Sequence, residues 1–419
     1  MGYSEIEYVS ASEYCDRVTD GTHDSPKRVE TGKKLITSKH LKEYSLDFDS
    51  AYLISQDDYE KINSRSKVEQ YDLLYSMIGT VGEVYLEKSK RIDYAVKNVG
   101  IFKVGNELDS KWLYYYLKSP KANEYLLSHL SGSTQQYITL DSLRKFPVPK
   151  VEDGIRKEIV NILSSLDDKI ELNNKINKNL EELAQTLYKH WFVDFEFPNE
   201  EGLPYKSSGG KMVESELGLI PEGWNIEPLG NSKISKLVTS GINEFNNEKI
   251  YLATADVTDT TITNRNTTIT MKDKPSRANM QPRENTLWFA KMKNSRKLIR
   301  VSKNSTELIS DYIFSTGFAG LYVKEYLNFV WTFLLTSSFD ENKNGLASGT
   351  TQEAINNRNI NKINLIVPKD RILNKFEKIF NDIYEKIEQN DNENIKLRNI
   401  RDLLLPKLMS GEIRVPIKE

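Results

Sequence analysis

Between positions 272 and 303 the chain carries ten basic residues, Lys272, Lys274, Arg277, Arg283, Lys291, Lys293, Arg296, Lys297, Arg300 and Lys303, against two acidic ones, Asp273 and Glu284. Side chains of that sign and density can neutralise phosphates and release condensed counterions, a main source of affinity for a nucleic-acid backbone. A solvated loop and strand face would show the same run, so position in the fold has to decide. Smaller basic clusters lie earlier, at Lys27, Arg28, Lys33 and Lys34 and at Lys88, Lys90 and Arg91. The net charge over all 419 residues is −2, so any attraction for phosphate is local.

Groups able to make or break covalent bonds do not assemble. The four histidines, His23, His40, His129 and His190, and the single cysteine, Cys15, are far apart in sequence and give neither metal-ligand spacing nor a disulfide. Gly32-Lys33-Lys34-Leu35 lacks the first glycine and the trailing hydroxyl of a phosphate-binding loop. No two prolines are adjacent, which removes the usual signature of a DNA-amine methyltransferase, and no Pro-Asp pair precedes a Glu-x-Lys as in many metal-dependent nucleases. The glycine pair of Gly79-Thr80-Val81-Gly82 reads as a strand-to-strand turn, and Asp20-Gly21-Thr22-His23 as a structural or ligand-facing loop ahead of Pro26. The expectation is a chain with no catalytic residue and no metal site. The first ten residues lack the basic, apolar and small-residue order of a secretory signal. No apolar run approaches the ~18 residues of a membrane span. Both points lead to an expectation of a cytoplasmic protein with no membrane partner.

What must position such loops is a duplicated scaffold. SGSTQQYI at 131–138 returns as SGTTQEAI at 348–355, 217 residues later. The same interval carries Lys169-Ile170-Glu171 onto Lys386-Ile387-Glu388 and Leu35-Ile36-Thr37 onto Leu252-Ala253-Thr254. A period of that size is a whole domain with its trailing helix, and such a fused dimer is expected to have a pseudo-two-fold axis suited to a ligand with two half-sites. Each copy holds an apolar run of buried-strand length, Leu73-Leu74-Tyr75-Ser76-Met77-Ile78 and Leu287-Trp288-Phe289-Ala290, flanked by the turn formers Gly79, Gly82, Asn285 and Asn294. WLYYYLK at 112–118 and VWTFLLT at 330–336 read as short buried helices. PVPK at 147–150 and IVPK at 366–369 read as strands ended by proline before a helix begins.

Beyond each of those prolines, spacings of four and three residues run through Ile159, Leu163, Leu166, Ile170, Asn173, Asn177, Leu180, Ala184, Leu187 and Trp191. The repeat interval moves them onto Phe376, Phe380, Ile383, Ile387, Asn390, Asn394, Leu397, Arg401, Leu404 and Leu408. These are coiled-coil seams, with two asparagines at each midpoint, and asparagines in an apolar seam fix register at some cost in stability. A helix over 156–192 would be about 55 Å long and could act as a ruler, with the two helices antiparallel. Pro406 is expected to kink or end the second helix and Gly411 to terminate it. NEEGLPYKSSGGK at 199–211 reads as a linker. The ends Leu187, Trp191, Phe192, Leu404 and Leu408 read as core or as a docking face, with core favoured for Trp191.

The layout resembles the specificity subunit of type I restriction-modification systems over essentially the whole chain. The most specific pieces are LAQTLYKHWFVDFEFPNEEG at 183–202, SELGLIPEGW at 215–224 and LRNIRDLLLPKLMSGEIRV at 397–415. Thr19-Asp20-Gly21-Thr22-His23, Ile36-Thr37-Ser38 and the paired SGSTQ and SGTTQ stretches are also similar to family elements. One departure is that Asp153-Gly154-Ile155-Arg156 and Asp370-Arg371-Ile372-Leu373 stand where the family often has a Glu-Gln pair. The resemblance implies an α+β protein in which two pseudo-symmetric mixed α/β target-recognition domains are joined by two long antiparallel coiled-coil helices. Its boundaries are a first domain at 1–150, a central helix at 151–198, the linker at 199–211, a second domain at 212–368 and a C-terminal helix and tail at 369–419.

The resemblance further implies a DNA-binding scaffold that reads a split double-stranded target, one domain per half, with an unread spacer. Two methyltransferase (modification) subunits would use S-adenosylmethionine, and motor-nuclease (restriction) subunits would use ATP and Mg, while this chain holds no cofactor. Loop residues placed to meet DNA are then Thr22, His23, Lys39, His40, Thr80 and Gln135 in the first domain. In the second they are Lys291, Lys293, Asn294, Arg296, Lys297 and Gln352, where arginine suits guanine and asparagine adenine. Asn173, Asn177, Asn390 and Asn394 would set helix register. Two other readings stay open at this point, a self-contained restriction or methylation enzyme and a coiled-coil scaffold that binds proteins rather than DNA.

Overall fold

The computed structural model describes residues 7–349 and 352–416. They form two compact units, one made of the described residues up to Asn174 with those from Asn392, the other of Lys175–Asp391. Both divisions fall inside long helices, so each unit owns a piece of both helices, a partition that the domain boundaries drawn from sequence do not show.

In the first unit Leu73–Ser76, buried throughout, is one of two inner strands of a four-stranded antiparallel sheet ordered Arg17–Asp20, Val99–Lys103, Leu73–Ser76, Val84–Leu86. A second sheet sets Lys33–Thr37 between Leu53–Ile54 and Tyr94–Lys97, with the last pairing parallel. The aromatic run expected to be helical lies in helix Glu107–Leu117, whose Asn106 side chain accepts from the Asp109 amide. Helix Pro120–His129 follows a Ser119 cap with proline in its first turn, and strand Pro147–Pro149 then pairs with Tyr8–Ser10. The core collects Trp112, Tyr116, Phe102 and Phe146 with Ile159 and Leu163 of the central helix and Leu405, Leu408 and Met409 of the C-terminal helix.

The second unit repeats the order. Its antiparallel sheet runs Ser235–Leu237, Phe318–Val323, Thr286–Ala290, Leu298–Val301. Its other sheet again has a parallel pair, Lys249–Leu252 with Tyr312–Ser315, but adds an edge strand, Ala278–Met280, along the latter. Helices Leu327–Leu334 and Ser337–Gly345 match the aromatic and capped pair above, and strand Asn364–Val367 closes on Asn225–Pro228. Here the core takes Ala184, Tyr188, Trp191 and Phe192 with Phe329, Phe376 and Phe380. Trp191 lies 5.9 Å from Phe376, ring to ring, and is core. The segment 199–211, expected to be a linker, is folded here: Tyr205 stacks on Phe197 at 4.5 Å and its hydroxyl donates to the Lys211 carbonyl.

The central helix is Asp153–Tyr188, followed by a π turn at Lys189–Val193, and the C-terminal helix is Asp370–Met409. Pro406 does not end the latter, which continues three residues beyond it; Gly411, at φ 73°, terminates the run. A proline near a helix end removes a single internal bond, and the burial of Leu408 and Met409 holds the last turn. Within the first unit Asp167 meets Arg401 and Asn173 meets Asn394, so the helices run antiparallel. Within the second, Asn390 donates to Asn177 at 2.7 Å and Tyr188 faces Phe376, again antiparallel. All four asparagines are buried, and the Asn173 and Asn390 Oδ1 atoms have no partner among the described residues, a penalty of about 1–3 kcal/mol for each oxygen.

Seam position 401 is an arginine, and it is buried. Its guanidinium holds Asp167 and Glu43 at 2.8 Å each and donates to the Tyr44 hydroxyl, while Tyr115 donates to the other Asp167 oxygen at 2.9 Å. No helix among the described residues is long and apolar enough to cross a membrane.

Candidate nucleic-acid interface

In each unit two loops are fastened to one another by their main chains. In the first, the loop 77–83 joins Leu73–Ser76 to Val84–Leu86, and the Ser76 hydroxyl braces it by donating to the Thr80 carbonyl and accepting from the Glu83 amide. Beside it, 131–137 closes through reciprocal Ser131 and Tyr137 backbone bonds of 2.9 Å. Ile138 donates to Met77 and Gly79 to Gln136, which ties the two loops together. In the second unit 291–297 and 348–354 repeat this: Ile355 donates to Lys291, Lys293 to Glu353, and Ser348 and Ala354 exchange bonds.

The glycine of the repeated SGSTQ and SGTTQ stretches is what allows the closure. Gly132 and Gly349 sit at φ 88° and 139°, and a Cβ at either would lie 2.4 Å from the carbonyl oxygen of Gln135 or Gln352. Only glycine tolerates both the angle and the approach.

Four of the nominated residues are displayed at these tips. Thr80, Gln135, Asn294 and Gln352 are exposed, and their side chains make no hydrogen bond among the described residues. Asn294 adopts φ 56°, with its amide held by the Asn344 side chain at 2.9 Å, which leaves its own carboxamide outward. Thr22 and His23 belong to a separate group in the first unit. His23 spans Asp20 at 2.9 Å and Asn98 at 2.8 Å, the Ser38 hydroxyl donates to the Asn98 carbonyl, and Lys39 is exposed on the same turn. Thr22 is nearly buried, and its hydroxyl accepts from the Asp24 amide.

Others among the nominated residues are already committed. His40 is 1% exposed and its Nδ1 accepts from the Thr37 amide, so it braces a turn rather than facing outward. Burial, aided by Lys39, lowers its pKa, which fits a neutral ring. Lys293 grips both oxygens of Glu353, and Lys297 donates to the Thr254 carbonyl at 2.6 Å. Arg296 is locked by Asp259 at 3.0 Å, Asp340 at 2.5 Å and the Leu335 carbonyl. It cannot offer its fork to guanine without giving up both carboxylates and leaving Asp340 to Lys343 alone. Lys291 is different: it is half-buried, and its side chain has no hydrogen bond or ion pair among the described residues. The sequence reading missed Arg277 as a companion to it, although the basic run contains that residue.

A family profile described as the type I restriction modification DNA specificity domain matches residues 27–182. The type I restriction enzyme MjaIX specificity subunit of Methanocaldococcus jannaschii is 31% identical over 317 residues, which cover 73% of this chain and 69% of that one. The chain belongs to the type I restriction-modification specificity subunits. Another specificity subunit, that of the HindI enzyme of Haemophilus influenzae, is 25% identical over 417 residues, covering 84% of this chain and 88% of its own length. Among solved structures, the type I restriction-modification S subunit from M. genitalium superposes over 96% of both chains at 16% identity and a TM-score of 0.47, too loose a likeness to add to the sequence matches.

Proposed function

We propose that this specificity subunit reads a split duplex target, each unit one half, and carries no chemistry of its own. The observation behind this reading is the duplicated pair of clipped loops, which presents Thr80 and Gln135 in one unit and Asn294 and Gln352 in the other. A hydroxyl suits several base edges and a carboxamide suits adenine, so the two tips differ in what they would select. Methyl transfer with S-adenosylmethionine and ATP-driven, Mg-dependent translocation and cleavage would belong to two modification subunits and to restriction subunits assembled on this chain. Residues 173, 177, 390 and 394 would hold helix register, and so the length of the unread spacer.

The test is an exchange of residues 212–368 for the matching domain of a relative, followed by sequencing that detects methylated adenine. One half of the methylated site should change while the other and the spacer stay. A change in both halves would overturn the one-unit-per-half reading, and methylation independent of this chain would overturn DNA recognition altogether.

A further inference from the structure

We propose that Lys291 and Arg277 form a phosphate-binding pair in the second unit that has no counterpart in the first. The inference rests on the DNA-recognition reading and adds to it a backbone contact that only one half-site receives.

Lys291 is the first residue of its hairpin loop, at the end of strand Thr286–Ala290. Its amide donates to the Gly317 carbonyl and its carbonyl accepts from Ile355. Arg277, the residue just before the added edge strand, reaches the same turn. Its carbonyl accepts from Thr316, and its Nη2 lies 2.9 Å from where a Cβ on Gly317 would stand. Two cations thus converge on 316–317. Neither side chain has a hydrogen bond or ion pair among the described residues. Of the nearby acids, Asp273 accepts from the Thr270 hydroxyl, Glu353 on the adjoining loop is held by Lys293, and the exposed Glu284, seven residues from each cation, pairs with neither. Burial, with Arg277 beside it, lowers the Lys291 pKa, so the free protein holds this ammonium against both desolvation and repulsion. An anion set between the two groups relieves both, and on a duplex the anion at hand is a backbone phosphate.

The first unit shows the position without the charge. Met77 follows strand Leu73–Ser76 as Lys291 follows Thr286–Ala290, and its carbonyl accepts from Ile138 as that of Lys291 does from Ile355. Met77 is 6% exposed and packed in the apolar core, and the sheet beside it lacks the edge strand that delivers Arg277. The two halves of the target are therefore gripped unequally.

The experiment uses the full chain assembled with its modification subunit, and duplexes carrying the methylated-site sequence, titrated across KCl concentrations. R277Q, on an exposed residue, and K291M, which copies the side chain at the matching position of the first unit, should each reduce the slope of log affinity against log salt by about 1 and weaken binding roughly tenfold near 0.1 M salt. The methylated sequence should stay the same. A scan placing one neutral methylphosphonate at a time should find a position in the second half-site that weakens the wild type and leaves K291M unaffected. Unchanged slopes in R277Q, or a sensitive position in the first half-site instead, would overturn the pair while leaving sequence recognition intact. A wild-type complex without sequence preference would overturn the DNA reading itself.

Discussion

The two units share a strand order but not the polar contacts that seat each on the helices. In the first, a buried arginine of the C-terminal helix, Arg401, is enclosed by Asp167, Glu43 and Tyr44. In the second, the charge comes from the domain: Arg300 on strand Leu298–Val301 pairs with Glu388 and with Asn328, and Asn328 bonds Glu377 and Asn381. The shared pattern is backbone and apolar, set by strands such as Leu73–Ser76 and Thr286–Ala290. The polar locks differ between the copies, so the copies should fail under different insults.

The strongest way to break that comparison is to remove one lock. Arg401→Met should destabilise the first unit by about 3–5 kcal/mol, because Asp167 is left buried and facing carboxylate and hydroxyl neighbours. Arg300→Met should cost less, about 1–3 kcal/mol, since Asn304 still bonds Glu388 at 3.1 Å. Hydrogen exchange resolved by segment measures both, and equal losses would show that the locks are equivalent after all.

A smaller effect separates the units by pH. Glu181 and Glu377, both in the second unit, are pushed up to about 7 from 4.5, each chiefly by burial; Asp259 and Asp391 add to the rise at Glu181. A carboxyl raised on folding binds more protons folded than unfolded between about 4.5 and 7. Stability therefore falls as pH rises through that window and is level above it. In the first unit burial also raises Asp72 and Glu171, but Lys103 and Lys88 oppose it. Protection of the second unit should thus fall more steeply from pH 5 to 8, and Glu181→Gln with Glu377→Gln should flatten the fall. An identical pH response in both units would contradict the burial assigned to these carboxyls.

The smallest effects on stability belong to the tips. Thr80→Ala and Asn294→Ala should each change stability by no more than about 0.5 kcal/mol. Each should relax base preference in its own half-site only, read by methylation mapping. A relaxed preference in the opposite half would sever the link between unit and half-site.

Much of this was legible in the chain. The apolar runs gave the inner strands, the three-and-four spacing gave both long helices, and asparagines at seam midpoints do pair across them. The repeated SGSTQ and SGTTQ stretches marked the loops that are clipped together. The charged contacts were not legible. Lys291 and Arg296 look alike in a basic run, and what separates them is Asp259 and Asp340, which lie 37 and 44 residues away along the chain. Asp167, the buried acid that pairs with Arg401, is 234 residues distant, though an arginine in a seam was itself a signal that a buried acid must exist. Pro406 does not end the helix because it stands in the final turn, where a proline removes a single internal bond.

Main-chain groups clip the loops together in both units, and the second adds the Lys293–Glu353 ion pair. Since Gly79, Gln136, Lys293 and Glu353 hold the pairs through amides and carbonyls, the exposed side chains of Thr80, Gln135, Asn294 and Gln352 are not needed for the clip. If those tips read bases as proposed, single-codon changes there would alter the target while the frame beneath is inherited intact.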